Sequence, residues 1–464
     1  MMKHIFLSFA IVSVLLSACG TGSQTRNSIS QKGTDIETVL ATQDQQTDSL
    51  PPLADIEQRI VTVPFITKDD TLAVRPVRMF IPKKVKRPMP VVYNAHYGLK
   101  ENSSELRNFI AEGWAVVTPI EVRSRYHGQL TDDDLVFNNA ALYTVRHTPD
   151  FDPQRIMIVG GSAGGYMSMM LAGLHMGICA NYANVPVENA YFSFYQHFNA
   201  ANKVNEEAQS KDLPLPYIGI VYGLFYPNVD NFPDKEDYDR WAALSPIGLV
   251  DCYSSPFLIT VFTSDLLVPI DQTTRKYTYE KNGDSMPKGL STRLDRSNPG
   301  ILGKALDELL APSLTSVKCN KPVPEGEKVK VPYDASKPFN ICVTDDGPVE
   351  SFSSHNNGSP RGKMDVIPYL KDMATRSLTS TEMLRPEKLR LLLERYAGRS
   401  VQLPAHQGVD DNAYGSLKVY QEEVVEELAR YAGNHSVKEI DKAVAGLNDE
   451  DLSKIWKEIR HSVK

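Results

Sequence analysis

Ser162 lies in Gly160-Gly161-Ser162-Ala163-Gly164, where a hydroxyl is flanked by residues with almost no side chain. An apolar run, Ile156-Met157-Ile158-Val159, leads into it. Met167, Met169, Met170, Leu171 and Leu174 follow at helix-like spacing. Strand, sharp turn and helix with Gly-x-Ser-x-Gly at the turn is the pattern that exposes a serine nucleophile. The small neighbours let strand and helix approach each other while the serine takes a strained backbone. The free N–H groups of the helix N-terminus then face any negative charge that forms beside Ser162. The chemistry is acyl transfer: the serine attacks an acyl carbon, a histidine takes its proton, and a carboxylate orients the histidine. A Gly/Ser-rich turn can also be only a turn, so the reading depends on what surrounds it.

The surrounding elements alternate. Ile60 to Ile66 and Leu72 to Ile81 read as a β-hairpin across Lys68-Asp69-Asp70. Met89 to Ala95 is the next strand, Ser104 to Ala111 a helix closed by Gly113, Ala115 to Ile120 a buried strand, and Asp134 to His147 a helix. After the elbow come strands at Ile178 to Val187, Phe257 to Phe262 and Phe339 to Val343. This alternation implies a mostly parallel, doubly wound α/β sheet. Residues 188–250 break it and carry many aromatics, as expected of a lid insertion. Residues 283–337 read as a second insertion, with one helix at Gly303 to Leu310. The last hundred residues read as helical, with Pro386 in a first turn, an amphipathic Ser416 to Ala432, a capping box at Ser436 and Glu439, and a short helix at Leu452 to Ile459.

The elbow with its approach Asp152-Pro-Gln-Arg, and Ser264-Asp265-Leu-Leu-Val-Pro269, resemble esterases and prolyl-oligopeptidase-like serine hydrolases of the α/β-hydrolase superfamily. Pro90-Val-Val-Tyr-Asn-Ala-His-Tyr-Gly98, Phe109-Ile-Ala-Glu-Gly-Trp-Ala-Val-Val and Val122-Arg-Ser-Arg-Tyr126 are similar to the cocaine-esterase and X-Pro dipeptidyl-peptidase group. The chain departs from that group at Ala163, where a bulky residue is usual, and in having no all-β C-terminal domain. The resemblance implies the order Ser, Asp, His, with Asp265 as acid; Asp271 and Asp345 are the other acids to weigh. Of the histidines after Asp265, His435 and His461 lie in polar helical segments. His355, in the loop Ser353-Ser354-His355-Asn356-Asn357-Gly358, is preferred as base, and His406 competes. The resemblance also implies an oxyanion hole from the Ala163 N–H and from Tyr97, through its hydroxyl or its backbone N–H. His96 is read as structural because it precedes Asp265.

The N-terminus has its own logic. Met1 to His4 carry positive charge, Ile5 to Leu16 are almost all apolar, and Leu16-Ser17-Ala18-Cys19 resembles a bacterial lipobox, with Cys19 lipidated. An ordinary signal peptide with a chance cysteine is the alternative. Residues 20–50 are too polar to bury a core and suit a flexible tether. The expected organisation is a signal peptide over 1–19, a tether over 20–50, a hydrolase domain over 51–432 and a helical extension over 433–464. A net charge of −7, without a basic patch interleaved with aromatics, argues against nucleic acid. Cys179, Cys252, Cys319 and Cys342 show no Cys-x-x-Cys spacing, so no metal is expected; a Cys319–Cys342 disulfide and four buried thiols remain equal readings. The sequence thus predicts a lipid-anchored serine hydrolase of the cell envelope, without cofactor, acting on a small-molecule or peptide substrate and on an ester before a peptide. A prolyl-oligopeptidase-like peptidase, with Glu188 for a substrate amine, is the enzymatic alternative. A surface binding lipoprotein on an inactive hydrolase fold is the other.

Overall fold

The computed structural model describes residues 52–67, 71–120, 132–188, 246–265, 268, 270, 273, 310–319, 323–324, 327–346, 363–376, 382–397, 424–429 and 435–463. Its centre is a nine-stranded sheet in the order β1-β2-β4-β3-β5-β6-β7-β10-β8. The strands are β1 (Ile56–Ile66), β2 (Leu72–Pro82), β3 (Met89–Asn94), β4 (Ala115–Pro119), β5 (Phe151–Gly161), β6 (Ile178–Asn184), β7 (Phe257–Phe262), β8 (Ser313–Lys318) and β10 (Phe339–Asp345). A separate two-stranded pair joins β9 (Val329–Lys330) to β11 (Met364–Asp365). β1 and β2 form the expected antiparallel hairpin, and β2 runs antiparallel to β4. From β4 to β8 every pairing is parallel.

Helices cover both faces: α1 (Ser104–Ala111), α2 (Asp132–Arg146), α3 (Ala163–Leu174), α4 (Ile367–Thr375), α5 (Pro386–Ala397), α6 (Val437–Gly446) and α7 (Glu450–Ile459). The side-chain alternation of a strand decides which residue meets which layer. In β5, Ile156 and Ile158 join the core beneath α2 and α3, whereas Met157 and Val159 join the core beneath α1 and α4. All four are fully buried, which is why this strand reads as a continuous apolar run rather than an alternating one. A third cluster lies away from the sheet: Leu389, Leu392 and Leu393 of α5 pack with Val424, Leu428, Ile440, Val444, Leu452 and Trp456.

Two strands, β8 and β9, depart from expectation. Residues 283–337 were read without a strand, yet β8 pairs in parallel with β10 at the sheet edge. Its sequence, Ser-Leu-Thr-Ser-Val-Lys, alternates between half-buried and exposed positions and leaves Leu314 61% exposed. An edge strand of this kind has no apolar run to announce it. Most of the Gly303–Leu310 helix and most of the aromatic lid fall outside the described residues. No disulfide joins any of Cys179, Cys252, Cys319 and Cys342, which decides against the Cys319–Cys342 pairing. Burial pushes the Cys179 and Cys252 thiols up to about 12. Among the described residues no helix is long and apolar enough to cross a membrane, and no metal-binding cluster is present.

Candidate active site

Ser162 stands between the C-terminal end of β5 and the first residue of α3, with φ 56° and ψ −119°. A non-glycine residue in this region is strained by about 1–3 kcal/mol, and surrounding contacts must hold it there. Its N–H donates to the carbonyl of Asn184 at the end of β6 at 2.8 Å, and its carbonyl accepts from Tyr166 N–H at 3.0 Å. Its side chain does not cap its own helix. The glycines around it are required by contact. A Cβ on Gly160 would lie 2.1 Å from the Gly164 carbonyl oxygen, and one on Gly165 would lie 2.9 Å from Pro186 Cα. A Cβ on Gly164 would come within 2.8 Å of the Ala95 carbonyl oxygen and 3.4 Å of the Tyr97 ring. The loop after β3 is therefore seated on the first turn of α3.

That loop is a tight turn. His96 has φ 70°, and the Tyr97 N–H donates to the Ala95 carbonyl at 2.9 Å, closing a γ-turn. The backbone N–H of Tyr97 is thus engaged within the loop, which leaves the hydroxyl as the Tyr97 group to consider as a donor. The Tyr97 carbonyl accepts from Asn94 Nδ2 at 2.7 Å and from the Thr118 hydroxyl at 3.0 Å. The turn itself is held from α2. Asn138 Oδ1 accepts from the His96 N–H at 3.3 Å and from the Tyr93 hydroxyl at 2.7 Å. His96 Nδ1 meets Asp134 Oδ2 at 2.5 Å, and Arg75 donates to Asp134 Oδ1 at 2.9 Å. Burial opposes ionisation of Asp134, but the neighbouring His96 and Arg75 outweigh it and hold the carboxyl below the usual range. Sequence reasoning missed Asp134 and Asn138. The available signal was two polar residues at i and i+4, one face of a helix, with Leu135, Val136 and Phe137 between them.

Asp265 follows β7 at the same sheet edge and is 2% exposed. Its Oδ1 accepts from the Val268 N–H at 2.9 Å. Asp345 ends β10, the parallel neighbour of β7, and Asp346 follows it. The Asp346 carboxylate accepts from Ser264 N–H at 3.0 Å and from the Ser264 hydroxyl at 2.6 Å. The loops leaving β7 and β10 are thereby pinned together one residue before Asp265. His355 and His406, as well as Asp271, lie outside the described residues. What the structure gives is their flanks. The segment containing His355 departs from Asp346, at the Asp265 end of the sheet. The segment containing His406 runs between α5 and residues 424–429, and both of these dock at the far end of α3. Cys19 also falls outside the described residues.

Glu188 follows β6 and is wholly buried. Thr273 Oγ1 donates to it at 2.8 Å, and burial pushes its carboxyl up to about 8. The far end of α3 carries a second buried polar cluster. Glu427 bonds Arg146 at 2.6 Å, His175 Nδ1 at 2.7 Å and the Met176 N–H at 3.0 Å. Lys388 donates to the carbonyls of Ala172, Gly173 and His175 at 2.7–2.8 Å, the unpaired acceptors at a helix C-terminus.

No protein-family model matches the sequence, and no curated protein matches it significantly. Among solved structures, it is similar to the uncomplexed acylaminoacyl peptidase of Pyrococcus horikoshii, with TM-score 0.40 and 15% identity over 71% of this chain and 41% of that one. It is similar also to an acylaminoacyl peptidase in complex with Z-Gly-Gly-Phe-chloromethyl ketone, with TM-score 0.41 and 16% identity over 71% of this chain and 43% of that one. Puromycin hydrolase follows, with TM-score 0.36 and 15% identity over 48% and 33%. The chain spans about two fifths of the length of the two acylaminoacyl peptidases. Its own topology is the firmer ground. An antiparallel hairpin leads into a parallel run in the order β4-β3-β5-β6-β7-β10, and a positive-φ serine joins β5 to α3; by this arrangement the chain has the α/β-hydrolase fold, with Ser162 at the sharp turn between β5 and α3.

Proposed function

We propose that the chain is a serine hydrolase that works through an acyl-enzyme on Ser162, with Asp265 and His355 as the relay. The observation that carries the reading is the Ser162 backbone, held at φ 56° where β5 ends and α3 begins. Ser162 attacks the acyl carbon while His355 takes its proton; His355 then returns the proton to the leaving group, and water repeats the sequence to release the acid. The Ala163 N–H and the Tyr97 hydroxyl are the proposed donors to the oxyanion. The Tyr97 N–H is already bonded to Ala95, which supports the hydroxyl. The pinning of Asp346 to Ser264 supports His355 over His406, because it starts the His355 segment beside Asp265.

For the substrate, the peptide alternative is adopted over the ester first expected. What favours it is the company the fold keeps, two acylaminoacyl peptidases and puromycin hydrolase; Glu188, buried and pushed up to about 8, is a neutral acid at pH 7 and adds no support. Export and lipidation at Cys19 belong to the same proposal and rest on the sequence of residues 1–20. A fluorophosphonate probe should label the wild-type protein and not Ser162→Ala. Labelling that persists in Ser162→Ala would remove the nucleophile, and no labelling of the wild type would favour an inactive binding lipoprotein. Turnover of aminoacyl peptides, N-blocked peptides and short esters, measured side by side, then ranks the substrate classes. A Cys19→Ser variant that still carries a fatty acid would end the lipobox reading.

A further inference from the structure

Resting on the reading of Tyr97 as an oxyanion donor, we propose that His96, held by Asp134 and Arg75, is a positioning residue that sets the Tyr97 hydroxyl for catalysis. His96 sits at φ 70° at the centre of a γ-turn, the rare and strained form of that turn, so restraints must hold it there. Two restraints act on it from one face of α2. Asn138 takes its backbone N–H and Asp134 takes its ring Nδ1, one helical turn apart. Asn138 Nδ2 in turn donates to the Asp134 carbonyl at 2.7 Å, so the two clamps are themselves linked.

The chemistry of the clamp is directional. The His96 and Asp134 side chains are 3% and 7% exposed, so their contact is barely screened by solvent. Arg75 fixes the other carboxylate oxygen, and its guanidinium lies 4.1 Å over the Phe137 ring, so the carboxylate cannot swing away from His96. An anionic Asp134 holds the proton on Nδ1 and leaves Nε2 to face the other way. Nε2 is buried without a hydrogen-bond partner. The imidazole packs edge-on against the Tyr97 ring, with centroids 4.5 Å apart. The ring therefore does two things to Tyr97: through the γ-turn it sets where the Tyr97 backbone sits, and by edge contact it limits how the phenol turns. Meanwhile Asn94 and Thr118 hold the Tyr97 carbonyl from the opposite side. A donor is useful only when aimed within a fraction of an ångström of the developing charge.

The test is a double-mutant cycle with His96→Asn and Tyr97→Phe, run on the full chain with one activated substrate. Asparagine tolerates positive φ, so the variant keeps the turn while losing the ring. We expect His96→Asn alone to lower kcat by about 10- to 100-fold with KM within about twofold, the signature of a misaimed group. In a Tyr97→Phe background the same change should cost less than about threefold, since the donor it aims is gone. Asp134→Asn, which keeps volume but loses the charge, should follow His96→Asn and serves if that variant folds poorly. Multiplicative losses in the two backgrounds, or a rise in KM at constant kcat, would overturn the proposal. So would an unchanged kcat in folded His96→Asn and Asp134→Asn. The underlying reading fails differently: a silent Tyr97→Phe beside an inactive Ser162→Ala removes Tyr97 as donor whatever His96 does.

Discussion

At the scale of the residue, the site is a problem of close approach. Gly164 separates the helix carrying Ser162 from the loop carrying Tyr97, and the space is too small for a methyl group. Gly164→Ala would force a Cβ to 2.8 Å from the Ala95 carbonyl oxygen, a backbone atom that cannot rotate away. The loop must then shift, at a cost of about 1–3 kcal/mol in stability. Activity should suffer by a similar amount: a misplacement of about 1 Å is expected to lower kcat by about 100-fold, or about 2.7 kcal/mol. Parallel melting curves and single-substrate kinetics check this, and a variant with full activity would mean that the loop does not serve the reaction. The sequence already displayed these glycines, because small residues around a serine are visible as letters. It did not display why His96 should accept a positive φ, since the answer lies on α2, at Asp134 and Asn138.

At the scale of the element, the parallel run of the sheet was legible because its strands are buried on both faces and so are apolar without interruption. β7 matches the expected span Phe257–Phe262 and α1 the expected span Ser104–Ala111. β8 was not legible, since half of its residues face solvent. The choice of histidine turns on element order as well. β10 lies beside β7 and parallel to it, so the segment leaving β10 begins at the Asp265 edge. α5 instead places Lys388 and Arg395 on the carbonyls at the C-terminal end of α3. We therefore expect His355→Ala to fall to the Ser162→Ala level, roughly 10⁶ below wild type in kcat by the precedent of triads acting as a unit. His406→Ala should retain at least about a tenth of activity, the cost of a bystander. Exchange of these two outcomes would transfer the base to the segment between α5 and residue 424.

For the whole molecule, the buried cluster around Glu427 ties the C-terminal helices to the sheet domain. Burial opposes the Glu427 charge, but Arg146, His175 and Arg395 hold its carboxyl far below the usual range. Glu427→Ala leaves two arginines buried near a lost partner and should cost about 3–5 kcal/mol, read as a fall in denaturation midpoint. His175 makes the cluster sensitive to acid. Burial drives its pKa from 6.5 down to about 3, so at mild acidity the unfolded chain binds a proton that the folded chain refuses. Stability contributed in this way is complete above pH 6.5 and is lost as pH falls toward 3, by up to about 1.4 kcal/mol per pH unit. Tm measured from pH 7 to pH 5 should decline, and less steeply in His175→Gln; equal slopes would refute the assignment. The Glu427 partners have a consequence in time. Arg146, His175 and Met176 are made early, whereas the carboxylate that joins them is 251 residues beyond Met176. A growing chain that has already completed its elbow still holds one unmatched guanidinium, Arg146, at the other end of the same helix. A chain ended before residue 427 leaves that guanidinium without its carboxylate, and its melting point should fall below that of the full chain by at least as much as in Glu427→Ala.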